Sequence, residues 1–301
     1  MPDSPRRFSP ATAFFALLAL ALAIALYFKS RPSEQRPGPA ARPTPGHAVK
    51  KPRPATPAHV PEPTSPPSVA RIAIVIDDLG NDRDAVERIA RWPYPVAGAV
   101  LPGLADSADA ARRLAGSGKE VLLHLPMEPD GYPRVRPGPG VVLRSDSDEQ
   151  IAQTVIADLA SVPGAVGVNN HMGSAATADA RVMRAVVRVL AQRGLFLLDS
   201  RTTEATVARQ IADEASIPAV SRRVFLDSVE TAAAIERSYR DLLVKAKRDG
   251  AALAIGHPHP ETLALLEREL PKLREQRIAL VRVSQLTHRN ASKSRVADLK
   301  P

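Results

Sequence analysis

Residues 72–80 read Ile-Ala-Ile-Val-Ile-Asp-Asp-Leu-Gly, an apolar run that ends in two carboxylates and a glycine. The run is apolar at every position rather than every second one. That pattern fits a strand covered on both faces, as in a parallel sheet. Further candidate strands lie at 96–101, 121–125, 165–169, 195–198, 220–226, 253–256 and 278–283, most of them apolar throughout rather than alternating. Between them lie segments with helical spacing. Ile151, Val155 and Leu159 follow one another every four residues, behind a capping box from Ser147 to Gln150. Val182, Val186, Val189 and Leu190 form a second stripe that stops at Gly194. Ile235, Tyr239, Leu242 and Ala246 form a third that stops at Gly250. The alternation predicts a parallel α/β fold, an open sheet or a barrel. No glycine-rich phosphate loop and no internal repeat interrupts it.

The flanks are of another character. Residues 11–28 are uncharged and almost wholly apolar, with Arg6 and Arg7 before them and Lys29 and Arg31 after. Such a stretch reads as an anchor helix or as the core of a signal peptide; both export the rest of the chain. The expected domains are therefore 1–30 as signal anchor or signal peptide, 31–69 as tether, 70–287 as the folded domain and 288–301 as a loose tail. Prolines recur through the tether, which favours extended, uncollapsed chain. The expected location is outside the cytoplasm, on the inner membrane through the N-terminal segment.

The formal charge of +9 belongs to these flanks. Residues 1–69 carry nine Lys or Arg against three Asp or Glu, and residues 288–301 carry four against one, so 70–287 is neutral. A nucleic-acid-binding domain carries its cations on the folded face, so that class is excluded here. With no cysteine in the chain, thiol nucleophiles and thiolate ligands are excluded too, and a metal would have to be held by His, Asp or Glu.

In parallel α/β folds the chemistry collects at the carboxyl ends of the strands. The first run is followed by Asp77 and Asp78, the third leads into His124 and Glu128, and the fourth into Asn169, Asn170 and His171. The fifth is followed by Asp199, Ser200 and Arg201, and the seventh by His257 and His259. Asp78, His124 and His171 make a two-histidine, one-carboxylate set. It suits zinc first, then manganese, cobalt, nickel or iron. Asp77 and His257 are left for base and acid. Glu128, Asn170, Asp199, Arg201 and His259 are expected to orient a ligand or touch substrate. Asp199 has an equally good reading as the N-cap of the next segment.

The ordered motifs IVIDDLG, VLLHLPMEP, GVNNHMGS, LLDSRT and AIGHPHPET resemble the divergent polysaccharide deacetylases, a remote branch of the NodB-like carbohydrate esterases. The resemblance covers nearly all of 70–287. It implies a deformed (β/α) barrel. It also implies that Asp77 acts as base, Asp78 and His124 as metal ligands, and His257 as acid. Typical members have a second histidine four residues after the first, where this chain has Glu128, and an Arg-Pro motif that it lacks. His171 offers a replacement nitrogen. The expected function is metal-dependent removal of acetyl groups from amino sugars of an envelope polysaccharide or peptidoglycan-derived glycan. The alternative is a non-catalytic envelope module that binds glycan or protein, with Trp92, Tyr94 and Tyr132 as the available stacking residues.

Overall fold

The structure is a computed structural model that describes residues 69–287. The expected anchor, most of the tether and the tail lie outside the described residues. Among the described residues no helix is long and apolar enough to cross a membrane.

The chain alternates strand and helix: β1 (Ala70–Leu79), α1 (Arg83–Ala90), β2 (Ala97–Val100), α2 (Ser107–Gly116), β3 (Val121–Met127), α3 (Asp148–Ser161), β4 (Ala165–Met172), α4 (Ala180–Arg193) and β5 (Phe196–Asp199). It continues through α5 (Ala208–Glu214), β6 (Ala219–Ser221), β7 (Val224–Phe225), α6 (Ala232–Asp249), β8 (Ala251–Gly256), α7 (Pro260–Glu269) and β9 (Ile278–Leu280). The three helices expected from stripes are all present. α3 carries the full Ser147–Gln150 capping box, and Gly194 and Gly250 end α4 and α6 in the left-handed conformation.

All the strands pair in parallel, in the order β6-β5-β4-β3-β2-β1-β8-β7, with β9 beside the start of β1. The run 220–226, expected to be one strand, is two. β6 pairs with β5 at one edge of the sheet, and β7 pairs with β8 at the other. Ser221 and Val224 are three residues apart, so the chain between them spans no more than about 11 Å. The sheet must therefore curl until its two edges nearly meet, which makes it an incomplete barrel. Arg222 N bonds back to Asp199 O and Arg223 N forward to Leu253 O, so one extended segment closes the seam.

A curled sheet has an inside and an outside, and the strands are apolar on both. On β1, Ile72, Ile74 and Ile76 pack outward against the helices, while Ala73 and Val75 face inward. The inner core also holds Ala97, Ala99, Leu122, Phe196, Leu198, Leu253 and Ile255, and Val283 and Leu286 floor it. Small residues make room for large ones: a Cβ added at Gly167 would lie 2.4 Å from the Phe196 ring. The two-residue period of a strand then sets what faces the mouth. Continuing the inward series by one step gives Asp77 on β1, His124 on β3, Asn169 and then His171 on β4, Ser200 after β5 and His257 after β8.

Outside this row, one buried carboxyl stands alone. Asp158 on α3 is 7 % exposed, its Oδ2 has no hydrogen-bond partner, and it packs against the backbone of Gly140. Burial pushes its pKa up to about 7. The folded state therefore holds this proton where the unfolded chain, with a carboxyl pKa near 3.8, releases it. Stability is lost as pH rises from about 4 to 7 and is level above that. Asp158→Asn is expected to raise stability at pH 8 by about 2 kcal/mol, after allowance for partial solvent screening, and to leave it nearly unchanged at pH 4. Melting curves of both proteins across that range would show the gap opening with pH; a constant gap would contradict it.

Candidate metal centre and its flanking acid–base groups

Two consecutive residues of β1 reach the mouth, which alternation alone forbids. Asp77 points inward as the period requires. Asp78 has φ 57°, in the left-handed region, and the register of β1 against β2 slips between Ile76 and Leu79. That twist turns the second carboxylate back over the barrel. Left-handed backbone costs a non-glycine residue roughly 1–2 kcal/mol and tends to persist where the position is functional. Met172 and Arg201, at the ends of β4 and β5, share this conformation.

His124 on β3 and His171 on β4 complete a tight group. Asp78 Oδ1 lies 3.1 Å from His124 Nε2 and 3.0 Å from His171 Nδ1, and the two nitrogens are 3.1 Å apart. Asp78 Oδ1 is buried, and no donor meets it in hydrogen-bonding geometry. Three lone-pair atoms thus converge at the mutual separation that donors around one divalent cation adopt. The donor set fits such an ion. Burial opposes the ionised form of Asp78, but the two imidazoles outweigh it and hold the carboxyl well below its usual range. Burial likewise opposes charge on His124, and Asp77 and Asp78 outweigh it, raising its affinity for positive charge.

Asn169 ties this group to Asp77. Its Oδ1 lies 3.0 Å from His124 Nδ1, which places the imidazole proton there and leaves Nε2 free toward Asp78. Its Nδ2 donates to both Asp77 oxygens, at 3.0 and 3.1 Å, and to Ser200 Oγ at 3.2 Å. Asp77 is 2 % exposed, and burial raises its pKa against the opposing pull of His124, His257 and Asn169. Asp77 Oδ2 is 3.5 Å from His124 Nε2.

His257 stands on the other flank, its Nε2 3.9 Å from Asp78 Oδ2. Asp227, just past β7, accepts from the His257 main-chain N at 2.6 Å and from Thr262 Oγ1 at 2.8 Å, and it pairs with His257 Nδ1 at 2.9 Å. Burial disfavours the imidazolium, but Asp227, with Asp77 and Asp78 behind it, prevails and raises the pKa to about 9.

The remaining expected residues lie outside the three-donor group. Glu128 is bound to Arg144 through the main-chain N and Nε and does not join the three-donor group. Asp199 faces away from the mouth. Its Oδ1 accepts from Arg201 N and Thr206 Oγ1, so it braces the adjoining loop and touches no imidazole. Arg201 pairs with Glu204; His259 lies beside His257, with ring centres 5.8 Å apart, where the two histidines and Asp227 offer a second group of ligand atoms within 4.8 Å of one another, and it also approaches Glu230 at 3.7 Å. Asn170 links the ends of β4 and β5, accepting from Ser200 N and donating to Met172 O and Thr202 Oγ1. Trp92 is buried and donates to Glu267, so it forms no open stacking face. Two members of the site, Asn169 and Asp227, have no role assigned by the sequence. Asn169 lies two residues before His171, on the same strand face; Asp227 is one more carboxylate just past an apolar run.

Residues 74–287 match the family described as divergent polysaccharide deacetylase, and the chain belongs to that family. An uncharacterized protein of Haemophilus influenzae (strain ATCC 51907 / DSM 11121 / KW20 / Rd) is 35% identical over 217 residues, 72% of this chain and 76% of that one. Uncharacterized protein YibQ of Escherichia coli (strain K12) is 35% identical over 224 residues, 74% of this chain and 69% of its own. Among solved structures, uncharacterized protein ATU2773 of Agrobacterium tumefaciens C58 superposes with a TM-score of 0.70 at 28% identity, covering 74% of this chain and 92% of that one.

Proposed function

We propose that the protein is a metal-dependent hydrolase that removes acetyl groups from amino sugars of an envelope polysaccharide, acting outside the cytoplasm at the end of the tether 31–69, with residues 1–30 as its membrane anchor. The observation that carries this reading is the convergence of Asp78, His124 and His171 around a buried carboxylate oxygen with no hydrogen-bond partner. These three residues would hold the cation, zinc being the first choice for a mixed oxygen and nitrogen set. When bound, a divalent cation supplies Lewis acidity toward the acetyl carbonyl and toward water.

The chain's own groups supply the proton transfers. Asp77, at the edge of the cluster, takes the proton of the attacking water. Its raised pKa makes it a stronger base than an exposed aspartate. Asn169 holds both its oxygens, so the carboxylate enters the reaction already oriented. His257, kept protonated by Asp227, gives its Nε2 proton to the departing amine. Acetate and a free amino sugar result, and activity falls at alkaline pH as His257 loses that proton.

The test is acetate release from N-acetylglucosamine oligomers by full-length protein loaded in turn with zinc, manganese, cobalt, nickel and iron. Release that a chelator abolishes and one of these metals restores is the expected result. No release with any of them, together with glycan binding indifferent to chelator, would instead favour a binding module built on this fold.

A further inference from the structure

The seam of the barrel carries a charge that the proposed deacetylation does not use. Arg222 sits between β6 and β7, half-buried. Its Nε donates to Ser200 O at 2.6 Å and its Nη2 to Arg201 O at 2.7 Å. The guanidinium lies over the Phe225 ring, 3.8 Å from its centre. Two hydrogen bonds and a ring face therefore fix its plane.

A guanidinium has five N–H donors. Two of them are taken here, by main-chain carbonyls. Among the described residues the other three have no hydrogen-bond partner, and no carboxylate forms an ion pair with the group. Its neighbour Arg201, by contrast, is paired with Glu204. Burial and the neighbouring Arg201 disfavour this cation more than the charges of Asp199, Glu204 and Asp77 favour it, and a neutral donor could serve the two carbonyls.

The position matters as much as the charge. Ser200, whose carbonyl Arg222 holds, is bonded through Oγ to Asn169 and thence to Asp77. Phe225, on which Arg222 lies, stacks on His257 with ring centres 6.1 Å apart and planes 23° apart. The cation is thus close to the groups assigned as base and as acid. A planar fork already held in place binds a carboxylate with two parallel hydrogen bonds and little further loss of freedom.

We propose that Arg222 is a subsite for a carboxylate carried by the substrate, so that the substrate class is an acetylated glycan with a carboxylate near the acetamido group. This rests on the deacetylase reading of the mouth. The test uses zinc-loaded full-length protein and three probes of equal length: a neutral N-acetylglucosamine oligomer, an oligomer in which alternate residues are N-acetylmuramic acid, and the methyl ester of the latter. Calorimetric binding and acetate release are measured for the wild type and for Arg222→Gln.

The wild type is expected to bind the acid about 10- to 100-fold more tightly than its ester, as for a charge-assisted pair. In Arg222→Gln that preference disappears, KM for the acid rises with kcat held, and the neutral oligomer is handled as before. Equal binding of acid and ester by the wild type would overturn the proposal. So would an equal loss on all three probes in the variant, which would make Arg222 a clamp on the seam only, or a failure to bind any probe. Binding that prefers the acid without acetate release from any probe would leave the subsite standing and remove the deacetylase reading.

Discussion

Replacing Asp78 with alanine is expected to strip the cation from the protein while the fold persists. The carboxylate supplies the one oxygen of the three-donor group, within 3.1 Å of both imidazole nitrogens. Without it, two imidazoles remain, and they alone bind a divalent ion weakly. Groups that merely orient a ligand cost roughly 10–100-fold in metal affinity or activity when removed, and a ligand costs more. Elemental analysis of the purified full-length protein should find near-stoichiometric metal in the wild type and little in Asp78→Ala. A second variant separates ligand loss from backbone effects. Asp78 sits at φ 57°, so Asp78→Gly also lacks the ligand but relieves the left-handed strain. It should melt higher than Asp78→Ala by the equivalent of about 1 kcal/mol. Full metal content in both variants would exclude Asp78 from the ligand set.

One residue earlier the expectation is the reverse. Asp77→Asn should keep the metal and lose the reaction. Asp77 lies beside the three-donor group rather than in it, with Oδ2 3.5 Å from His124 Nε2. An asparagine there can turn its carbonyl oxygen toward Asn169 Nδ2, so the bridge from Asn169 to His124 survives. It cannot take a proton from water. General base catalysis contributes typically about 10²–10⁴-fold, so kcat should fall by that order with metal content unchanged. Turnover within a few-fold of wild type would remove Asp77 from the chemistry. Loss of metal in this variant would show instead that the two carboxylates act as one unit. Opposite outcomes at adjacent positions would be hard to produce by general destabilisation.

Much of the fold and the site is legible in the chain. Unbroken apolar runs such as 72–76 signal strands covered on both faces, and the stripes on α3, α4 and α6, with their caps and terminal glycines, signal the helices between. Asp78, His124 and His171 can be grouped because each stands at or just past the end of such a run. The run 220–226 misleads for a physical reason. Arg222 and Arg223 part Val220-Ser221 from Val224-Phe225-Leu226, but local sequence does not say which neighbour each piece will bond; only closure of the sheet sends them to opposite edges. The sequence points to Asn170, yet Asn169 is the amide that bonds His124 and Asp77; two adjacent amides look alike until the inward face of β4 is known.

Sequence by itself determined the β/α alternation, the neutrality of the folded stretch and the short set of residues able to hold a metal, because all three follow from local patterning and composition. The tertiary structure alone decided how they meet. Curling the sheet brings Asp78 on β1 within 3.0 Å of His171 on β4, although two strands lie between them in the sheet. The left-handed turn at Asp78 aims a side chain that alternation would have sent outward. Asp227 meets His257 because β7 lies beside β8, and Glu128 is taken by Arg144 because the chain after β3 folds back beside the end of that strand.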